Sequence, residues 1–254
     1  MSAVKVARAR PARKQIFPRH AGNKGDVQCK SAVGGVRRVR QVRAVTENEI
    51  RLDHPAYLAA VARAEFKPRD YFAEAKVEDI FARAASLDLD LGCGEGGFLL
   101  AMARRHPERN FLATERLLGR IEKVARKIAR EEVGNARILR LENLYVARHL
   151  LPAGCVTVAY VLFPDPWPKR YHHPRRIIQE DFMNALHRVL APGGELRVKT
   201  DDLPYFQWME KIWARVSGYE RLAWDEEPDW PKTDFERQFL AKGLPIYRAR
   251  LRKV

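Results

Sequence analysis

The most constraining feature of this sequence is a short apolar run that leads directly into closely spaced glycines. Leu87–Leu91 alternates leucine with aspartate, and residues 92–97 read Gly-Cys-Gly-Glu-Gly-Gly. A helical pattern over residues 98–105 follows, so the local order is strand, glycine loop, helix. In an open α/β sheet such a loop lies at the carboxyl end of a strand and marks the ligand site. The sequence therefore predicts a sheet with a binding site beside this loop.

Strand-like and helix-like segments continue to alternate after the loop, which predicts right-handed crossovers in an α/β fold. Further strands are expected at residues 110–114, 136–141, 156–163 and 195–200. The stretch 46–85 reads as mostly helical, and helices are expected at residues 71–84, 117–133 and 181–190, the last stopped by the Pro-Gly-Gly turn at 192–194. Residues 246–251 read as a final antiparallel strand. The expected fold is α/β and Rossmann-like, with a mostly parallel central sheet, a C-terminal antiparallel strand and helices on both faces.

The charge of the chain is concentrated at its start. The 254 residues include 47 Lys and Arg against 32 Asp and Glu, a formal charge of +15, of which residues 1–45 contribute +11 with Asp26 as their single acid. Because these residues show no sustained hydrophobic period, we expect a disordered basic tail followed by one catalytic-sized domain at 46–254. Such a tail attracts phosphate, so RNA is one candidate partner. An extension without a role and an organelle transit peptide are the alternatives.

Several classes of protein are excluded by composition. The longest apolar runs fall short of the roughly 20 residues that cross a bilayer, and no secretory signal opens the chain. Cys29, Cys93 and Cys155 are far apart, which suits a reducing compartment and provides no metal-ligand set. We therefore expect a cytoplasmic protein without a membrane partner or a metal, present as a monomer or a weak homodimer.

The spacing of the loop glycines indicates the ligand. Gly92, Gly94 and Gly96 alternate with other residues, unlike the GxGxxG loop of dinucleotide enzymes. Glycine lets the backbone approach a ligand closely and adopt positive φ. The pattern favours S-adenosylmethionine as the cofactor, and the alternative is a tight strand-to-helix turn that binds nothing.

Polar side chains lie at or just after the carboxyl ends of the first three predicted strands. Asp90 could pair with a ligand ammonium group, and Glu115 at the end of the second strand could accept hydrogen bonds from both ribose hydroxyls. Glu142 or Asn143 follows the third strand and could contact the adenine edge, although either could be a plain surface residue. Because carboxyl ends of parallel strands meet at one edge of a sheet, these groups are expected to face one ligand.

A proline-rich segment follows the predicted fourth strand. Residues 163–168 read Phe-Pro-Asp-Pro-Trp-Pro, and the prolines exclude helix and hold Asp165 in an extended turn. Trp167 offers a face on which an extruded base can stack. Nearby cations that could contact phosphate are Lys169, Arg170, Arg175 and Arg176. Each residue alone has an ordinary structural explanation, but together they predict a nucleic-acid site.

With these motifs the chain resembles the bacterial tRNA (guanine-N7)-methyltransferase family, from Leu87 to about Arg250. The resemblance is carried by residues 90–96, the highly specific Phe-Pro-Asp-Pro-Trp string at 163–167 with Lys169 and residues 175–177, the Thr200-Asp201 pair, and Thr-Asp-Phe-Glu-Arg at 233–237. It implies a class I methyltransferase fold. The implied reaction is methyl transfer from S-adenosylmethionine to guanine 46 in the variable loop of tRNA.

The resemblance also implies roles for individual residues, with Asp165 as the catalytic one. The implied donor-binding residues are Asp90, Gly92, Gly94, Gly96, Glu115, Glu142 or Asn143, and Asp165. The implied substrate-binding residues are Lys169, His172, Arg175, Asp201, Thr233, Asp234, Phe235 and Glu236. The chain departs from the family pattern, which has Glu at 90, Asp at 142 and usually a basic residue at 174. The first two exchanges keep the charge and change the reach by one methylene.

The chemistry of guanine N7 indicates how Asp165 would act. N7 has an unprotonated lone pair at neutral pH, so the transfer requires no general base. Asp165 could accept hydrogen bonds from guanine N1–H and N2–H and stabilise the developing cation, and Asp201 could do the same. The alternatives are methylation of another RNA base or an exocyclic amine, or a non-catalytic RNA-binding module.

Overall fold

The structure, a computed structural model, describes residues 54–225 and 230–254. The predicted tail at 1–45 lies outside the described residues. The strands are β1 Glu65–Phe66, β2 Leu87–Leu91, β3 Asn110–Glu115, β4 Ala136–Arg140, β5 Val156–Leu162, β6 Leu190–Thr200, β7 Tyr219–Leu222 and β8 Tyr247–Lys253. The helices are α1 Pro55–Ala64, α2 Val77–Phe81, α3 Gly97–Arg105, α4 Leu118–Arg130, α5 Asn143–Tyr145 with a π-helical continuation at Val146–Leu150, a 3₁₀ helix at Arg170–Arg175, α6 Glu180–Val189, α7 Leu203–Trp213 and α8 Asp234–Ala241.

Within these residues the strands form one sheet in the order β1-β4-β3-β2-β5-β6-β8-β7. The neighbours from β1 to β6 are parallel, whereas β8 is antiparallel to both β6 and β7. From β2 the chain continues to β3 and β4 on one side, and from β5 it continues to β6 on the other side. The boundary between β2 and β5 is therefore the topological switch point of the sheet. The predicted fold, including the antiparallel C-terminal strand, is confirmed.

Apolar side chains pack against both faces of the sheet. The leucines of β2 contact the core formed with α2, α6 and α7, while α3 and α4 build the core on the opposite face. Asp88 and Asp90 alternate with those leucines, so they point toward the α3 side of the sheet. All five residues of β2 are buried, as expected for a central parallel strand.

The helix predicted at residues 71–84 is largely wrong, because only Val77–Phe81 is helical there. Tertiary contacts hold the preceding residues in a bent, non-helical path: the Tyr145 hydroxyl donates to Tyr71 O at 2.7 Å, and Ala75 N donates to Leu150 O at 2.8 Å. Ala82, with φ of 52°, ends the helix. Upstream, the short strand β1 also interrupts the expected helical stretch.

The prediction for the Pro-Gly-Gly turn also needs correction. Helix α6 ends before it, at Val189, and residues 192–194 lie inside a longer β6 rather than between a helix and a strand. Pairing with β5 shifts there, since Leu190 faces Val156 whereas Glu195 faces Val158. The turn residues therefore form an irregularity within the strand.

The described ranges contain neither a membrane-spanning helix nor a metal-ligand cluster. No helix in them is both long and apolar enough to cross a membrane. No group of three or more His, Cys, Asp or Glu side chains in them is arranged to hold a metal ion.

Candidate active site

The glycine loop and the proline-rich segment leave the sheet at the same edge. β2 and β5 are parallel neighbours, with Asp90 opposite Tyr160, and residues 92–97 and 163–168 follow them directly. Ligands of open α/β sheets bind in the crevice outside the carboxyl ends of the strands at this point. The structure therefore brings together the two motifs that the sequence identified separately.

The glycine loop requires glycine for its conformation and its packing. Gly92, Gly94 and Gly96 have φ of 88°, 58° and 74°. A Cβ on Gly96 would lie 2.8 Å from Val124 Cγ2, so helix α4 excludes a side chain there. Gly92 N also donates to Thr114 O at 3.1 Å, which fixes the loop against β3. The result is a rigid turn whose backbone is accessible to a ligand.

Asp90 is a buried carboxylate that lacks a complete set of partners. Its side chain is 5% exposed, and Oδ2 has no hydrogen-bond partner among the described residues. Burial, reinforced by the charge of Glu115, raises the pKa of Asp90 to about 7. A buried carboxylate is stable when it is paired with a cation, so the site fits the ammonium group of S-adenosylmethionine.

The backbone N–H groups of the next two residues hold the Glu115 carboxylate in place. Oε1 accepts hydrogen bonds from Arg116 N at 2.7 Å and Leu117 N at 3.0 Å, and Oε2 accepts one from the half-exposed Arg120 at 3.3 Å. The backbone contacts leave Oε2 as the oxygen that a ribose hydroxyl could reach.

Glu142 and Asn143 occupy different environments. Glu142 is exposed, and its Oε2 caps α5 by accepting from Tyr145 N at 2.9 Å. Asn143 Oδ1 accepts from the Thr114 hydroxyl at 2.6 Å, and that same hydroxyl oxygen accepts from Gly92 N at 3.1 Å. Asn143 is thus linked to the glycine loop through Thr114, whereas Glu142 faces solvent.

Two neighbouring elements hold the proline-rich segment in a strained conformation. Phe163 and Trp167 both have left-handed φ, at 54° and 45°, which is uncommon outside glycine. Phe163 N donates to Lys199 O at 2.8 Å, and Arg176 Nε donates to Pro166 O at 2.8 Å. Asp165, between these anchors, is exposed at the carboxyl edge of the sheet.

The structure corrects the expectation that Arg176 contacts phosphate. Arg176 is 5% exposed, and its guanidinium lies 4.7 Å from the Tyr205 ring centroid and 5.3 Å from that of Trp208. It therefore supports the proline-rich segment from beneath. Arg175, in contrast, is exposed, with its guanidinium 5.1 Å from the Trp167 ring centroid.

An exposed aromatic and cationic surface surrounds Trp167. The His172 ring packs against Trp167 at a tilt of 58°, with ring centroids 5.3 Å apart, and the Tyr171 ring centroid lies 4.1 Å from that of His172. Lys169 Nζ is 5.9 Å from the Tyr171 ring centroid. Stacking faces interleaved with cations are typical of surfaces that bind unpaired nucleotides.

The start of α8 joins the same region. Thr233 caps the helix, since its hydroxyl oxygen accepts from Glu236 N at 3.0 Å. Asp234 lies beside the glycine loop, with Oδ2 3.7 Å from the position a Cβ on Gly97 would take. The half-exposed Phe235 stacks with Phe239 of the same helix.

Glu236 faces inward from α8 and makes a contact that the sequence did not reveal. It is 4% exposed, and Oε1 accepts from Lys199 Nζ at 2.7 Å. Phe239, one turn further on, lies 5.5 Å from the Phe163 ring. Helix α8 thus contacts β6 through Glu236 and the proline-rich segment through Phe239.

Asp201 follows β6 directly and is half-buried at the carboxyl edge. The next residue, Asp202, caps α7, with Oδ1 accepting from Tyr205 N at 2.7 Å. Because β5 and β6 are parallel neighbours, Asp201 lies beside the end of β5.

Comparisons with known proteins identify the class. A family model described as "Putative methyltransferase" matches residues 84–249. The crystal structure of the 16S rRNA methyltransferase KamB is similar to this chain with a TM-score of 0.56 at 19% identity, covering 75% of this chain and 98% of that one. That similarity concerns the fold alone. Fold, glycine loop and family model together define an S-adenosylmethionine-dependent class I methyltransferase.

Curated relatives identify the family. A protein of Halorhodospira halophila is 34% identical over 176 residues, which cover 67% of this chain and 76% of the relative. One of Syntrophotalea carbinolica is 31% identical over 207 residues, or 80% and 86% of the two chains. Both are named tRNA (guanine-N(7)-)-methyltransferase. The chain belongs to the bacterial tRNA (guanine-N7)-methyltransferase family.

Proposed function

We propose that this enzyme methylates N7 of guanine 46 in the variable loop of tRNA, and that Asp165 orients the guanine. The names of the relatives support the tRNA and guanine N7 part of the proposal. The observation that carries the residue assignment is the pairing of β2 with β5, because it places the buried Asp90 and the exposed Asp165 at one edge of the sheet.

On the donor side, the residues hold and orient a cation. With S-adenosylmethionine bound, Asp90 would pair with its ammonium group, Glu115 would accept hydrogen bonds from its ribose, and Asn143 would contact its adenine. The glycine loop allows its backbone to approach closely. S-adenosylmethionine, when bound, supplies a methyl group on a sulfonium, which guanine N7 can attack without prior loss of a proton.

On the substrate side, Asp165 accepts hydrogen bonds from guanine N1–H and N2–H. Adenine lacks this pair of donors, so the contact selects guanine. As the methyl group moves to N7, positive charge develops on the purine, and the carboxylate stabilises it. Asp165 therefore orients the base and stabilises charge rather than removing a proton, and the anchors at Phe163 and Arg176 keep it in place.

The RNA must present its guanine outside a duplex. N7 lies in the deep, narrow groove of A-form RNA, which side chains cannot enter, so the target is looped or extruded. The half-buried Trp167 and His172 and the exposed Arg175 provide stacking faces and cations beside Asp165. This arrangement suits an unpaired base and its flanking phosphates.

The direct test uses purified protein, methyl-labelled donor and unmodified tRNA transcript, followed by digestion to nucleosides. We expect 7-methylguanosine, and no label in a matched transcript with adenine at position 46. Label in another nucleoside would identify a different acceptor. If the protein neither transfers a methyl group nor binds the donor, the remaining interpretation is a non-catalytic RNA-binding module.

The role of Asp165 is tested by Asp165→Asn. We expect kcat to fall about 100-fold or more, because the charge that favours the product cation is lost while the shape is kept. The matched control is Asp181→Asn, an exposed carboxylate on α6 that pairs with Arg148. Full activity in Asp165→Asn would contradict the assignment.

A further inference from the structure

Lys199 is a buried lysine at the carboxyl end of β6. Lys199 is 1% exposed. Its Nζ lies 2.7 Å from Glu236 Oε1, and both side chains are almost completely buried. Trp224 covers the ammonium group, whose nitrogen is 5.5 Å from the ring centroid. The ion pair is therefore shielded from solvent, and it lies next to the candidate site.

The backbone of Lys199 supports a second part of the site. Its carbonyl oxygen accepts a hydrogen bond from Phe163 N at 2.8 Å, at the first residue of the proline-rich segment. The rings of Phe163 and Phe239 are 5.5 Å apart, so the same segment also packs on α8. One residue thus contacts both the segment that bears Asp165 and the helix that bears Glu236.

A buried ion pair of this kind need not add to the stability of a fold. Desolvation of two charges can cost as much as their attraction returns, and apolar residues of similar size often replace such pairs without loss. Glu236 Oε2 is also buried and has no hydrogen-bond partner among the described residues. An acceptor without a partner is unfavourable in the free protein and favours a donor supplied by a ligand.

We propose that Lys199 is a positioning residue that fixes the Glu236 carboxylate, so that its second oxygen accepts the N2–H of the target guanine that Asp165 leaves free. Lys199 occupies Oε1 and thereby determines where Oε2 points. Its carbonyl contact keeps the proline-rich segment in register with this acceptor. The inference rests on the proposed function, because the base that Glu236 contacts is the guanine of tRNA.

The test is a double-mutant cycle of Lys199→Met, Glu236→Gln and the combined variant, assayed with tRNA and S-adenosylmethionine. We expect Lys199→Met to lower kcat about 30- to 100-fold, because misplacement of a positioning group can cost this much. The KM for tRNA should change less than about threefold, since phosphate contacts dominate affinity. Donor affinity should stay within about twofold, because the donor residues identified above do not include Lys199 or Glu236.

The combined variant separates positioning from folding. Lys199→Met alone leaves the buried Glu236 carboxylate without its lysine, whereas the combined variant removes both charges of this pair and should recover thermal stability. We expect its kcat to remain as low as that of Glu236→Gln alone, since the two residues act as a unit. Arg252→Met, which breaks the exposed ion pair with Glu220, is the matched control and should leave kcat unchanged.

Two results would overturn the inference. One is a wild-type kcat in Lys199→Met or in the combined variant, and the other is a combined loss equal to the product of the single losses. Either result in an otherwise active enzyme leaves the proposed function intact. Wild-type protein that methylates no guanine in tRNA would overturn both, because the positioning role would then have no base to act on.

Discussion

Asp90 and Glu115 lie at the carboxyl ends of two neighbouring parallel strands. Burial, together with the negative charge of Glu115, raises the pKa of Asp90 to about 7. Glu115 is itself buried and held by two backbone N–H groups. Because each negative charge disfavours the other, the two acids are unfavourable together until a cation binds at this end of the strands. The free enzyme therefore stores an electrostatic preference for a positively charged ligand.

The first prediction is that donor affinity depends on pH through Asp90. With a raised pKa near 7, the carboxyl group is mostly protonated at pH 6 and must lose its proton to pair with the ammonium group. The dissociation constant of S-adenosylmethionine should therefore fall as pH rises from 5.5 to 7.5, by up to about tenfold per unit below the pKa. Titration calorimetry in buffers of different ionisation enthalpy should show proton release at pH 6.

The matched variant for this prediction is Asp90→Asn, which cannot titrate. It should bind the donor more weakly, with little pH dependence between 5.5 and 7.5. Glu122→Gln, an exposed carboxylate on α4, should keep the wild-type profile. A pH-independent dissociation constant in the wild type would show that Asp90 does not hold the cation.

The strand, glycine loop and helix around Asp90 could be predicted from sequence because their pattern is local. Leu87–Leu91 alternates, the glycines are contiguous with it, and the helical period starts at once. The structure changes the bounds by a residue or so. The topology then places the loops after β2 and β5 together without any knowledge of side-chain contacts.

Lys199 could not be predicted, because β6 reads as a strand with one solvated face. Glu195, Arg197 and Lys199 alternate with apolar residues, which normally indicates exposure. In the structure, aromatic residues distant in sequence cover this face: Arg197 lies 5.0 Å from the Trp230 ring centroid, and Lys199 lies beneath Trp224. Burial of this kind depends on tertiary contacts that leave no periodic signal in the strand itself.

The second prediction concerns adjacent arginines with opposite environments. Arg176→Met removes the donor to Pro166 O and the cation between Tyr205 and Trp208, so the Asp165 segment loses one anchor. We expect kcat to fall about tenfold or more while the salt dependence of tRNA binding stays unchanged. Single-turnover kinetics and salt titrations of binding provide the two measurements.

Arg175→Met is the matched control for that variant. Arg175 is exposed beside Trp167, so its loss should weaken tRNA binding and reduce the slope of log affinity against log salt by about 1, with kcat nearly unchanged. The same response from both variants would contradict the division of roles between these arginines.

The third prediction concerns Gly96. Gly96→Ala combines φ of 74° with a Cβ 2.8 Å from Val124 Cγ2, so the loop or α4 must shift. We expect a loss of about 1–3 kcal/mol in the free energy of unfolding and at least tenfold weaker donor binding. Gly119→Ala, at the start of α4 with open space around its Cβ, should bind the donor normally and be equally or more stable. Equal behaviour of the two variants would exclude a conformational requirement at Gly96.

The fourth prediction concerns the basic tail, whose residues 1–45 carry a net charge of +11. If the tail contacts tRNA phosphates, deleting it should weaken tRNA binding and flatten the dependence of log affinity on log salt, because fewer counterions are released. Donor affinity should not change, since the donor residues lie in the sheet and its loops. A full-length variant with every Lys and Arg of the tail replaced by Gln tests charge apart from length, and it should behave like the deletion.

An unchanged salt slope in both variants would favour an extension without an RNA-binding role. If only the deletion weakens tRNA binding, the length of the tail matters rather than its charge.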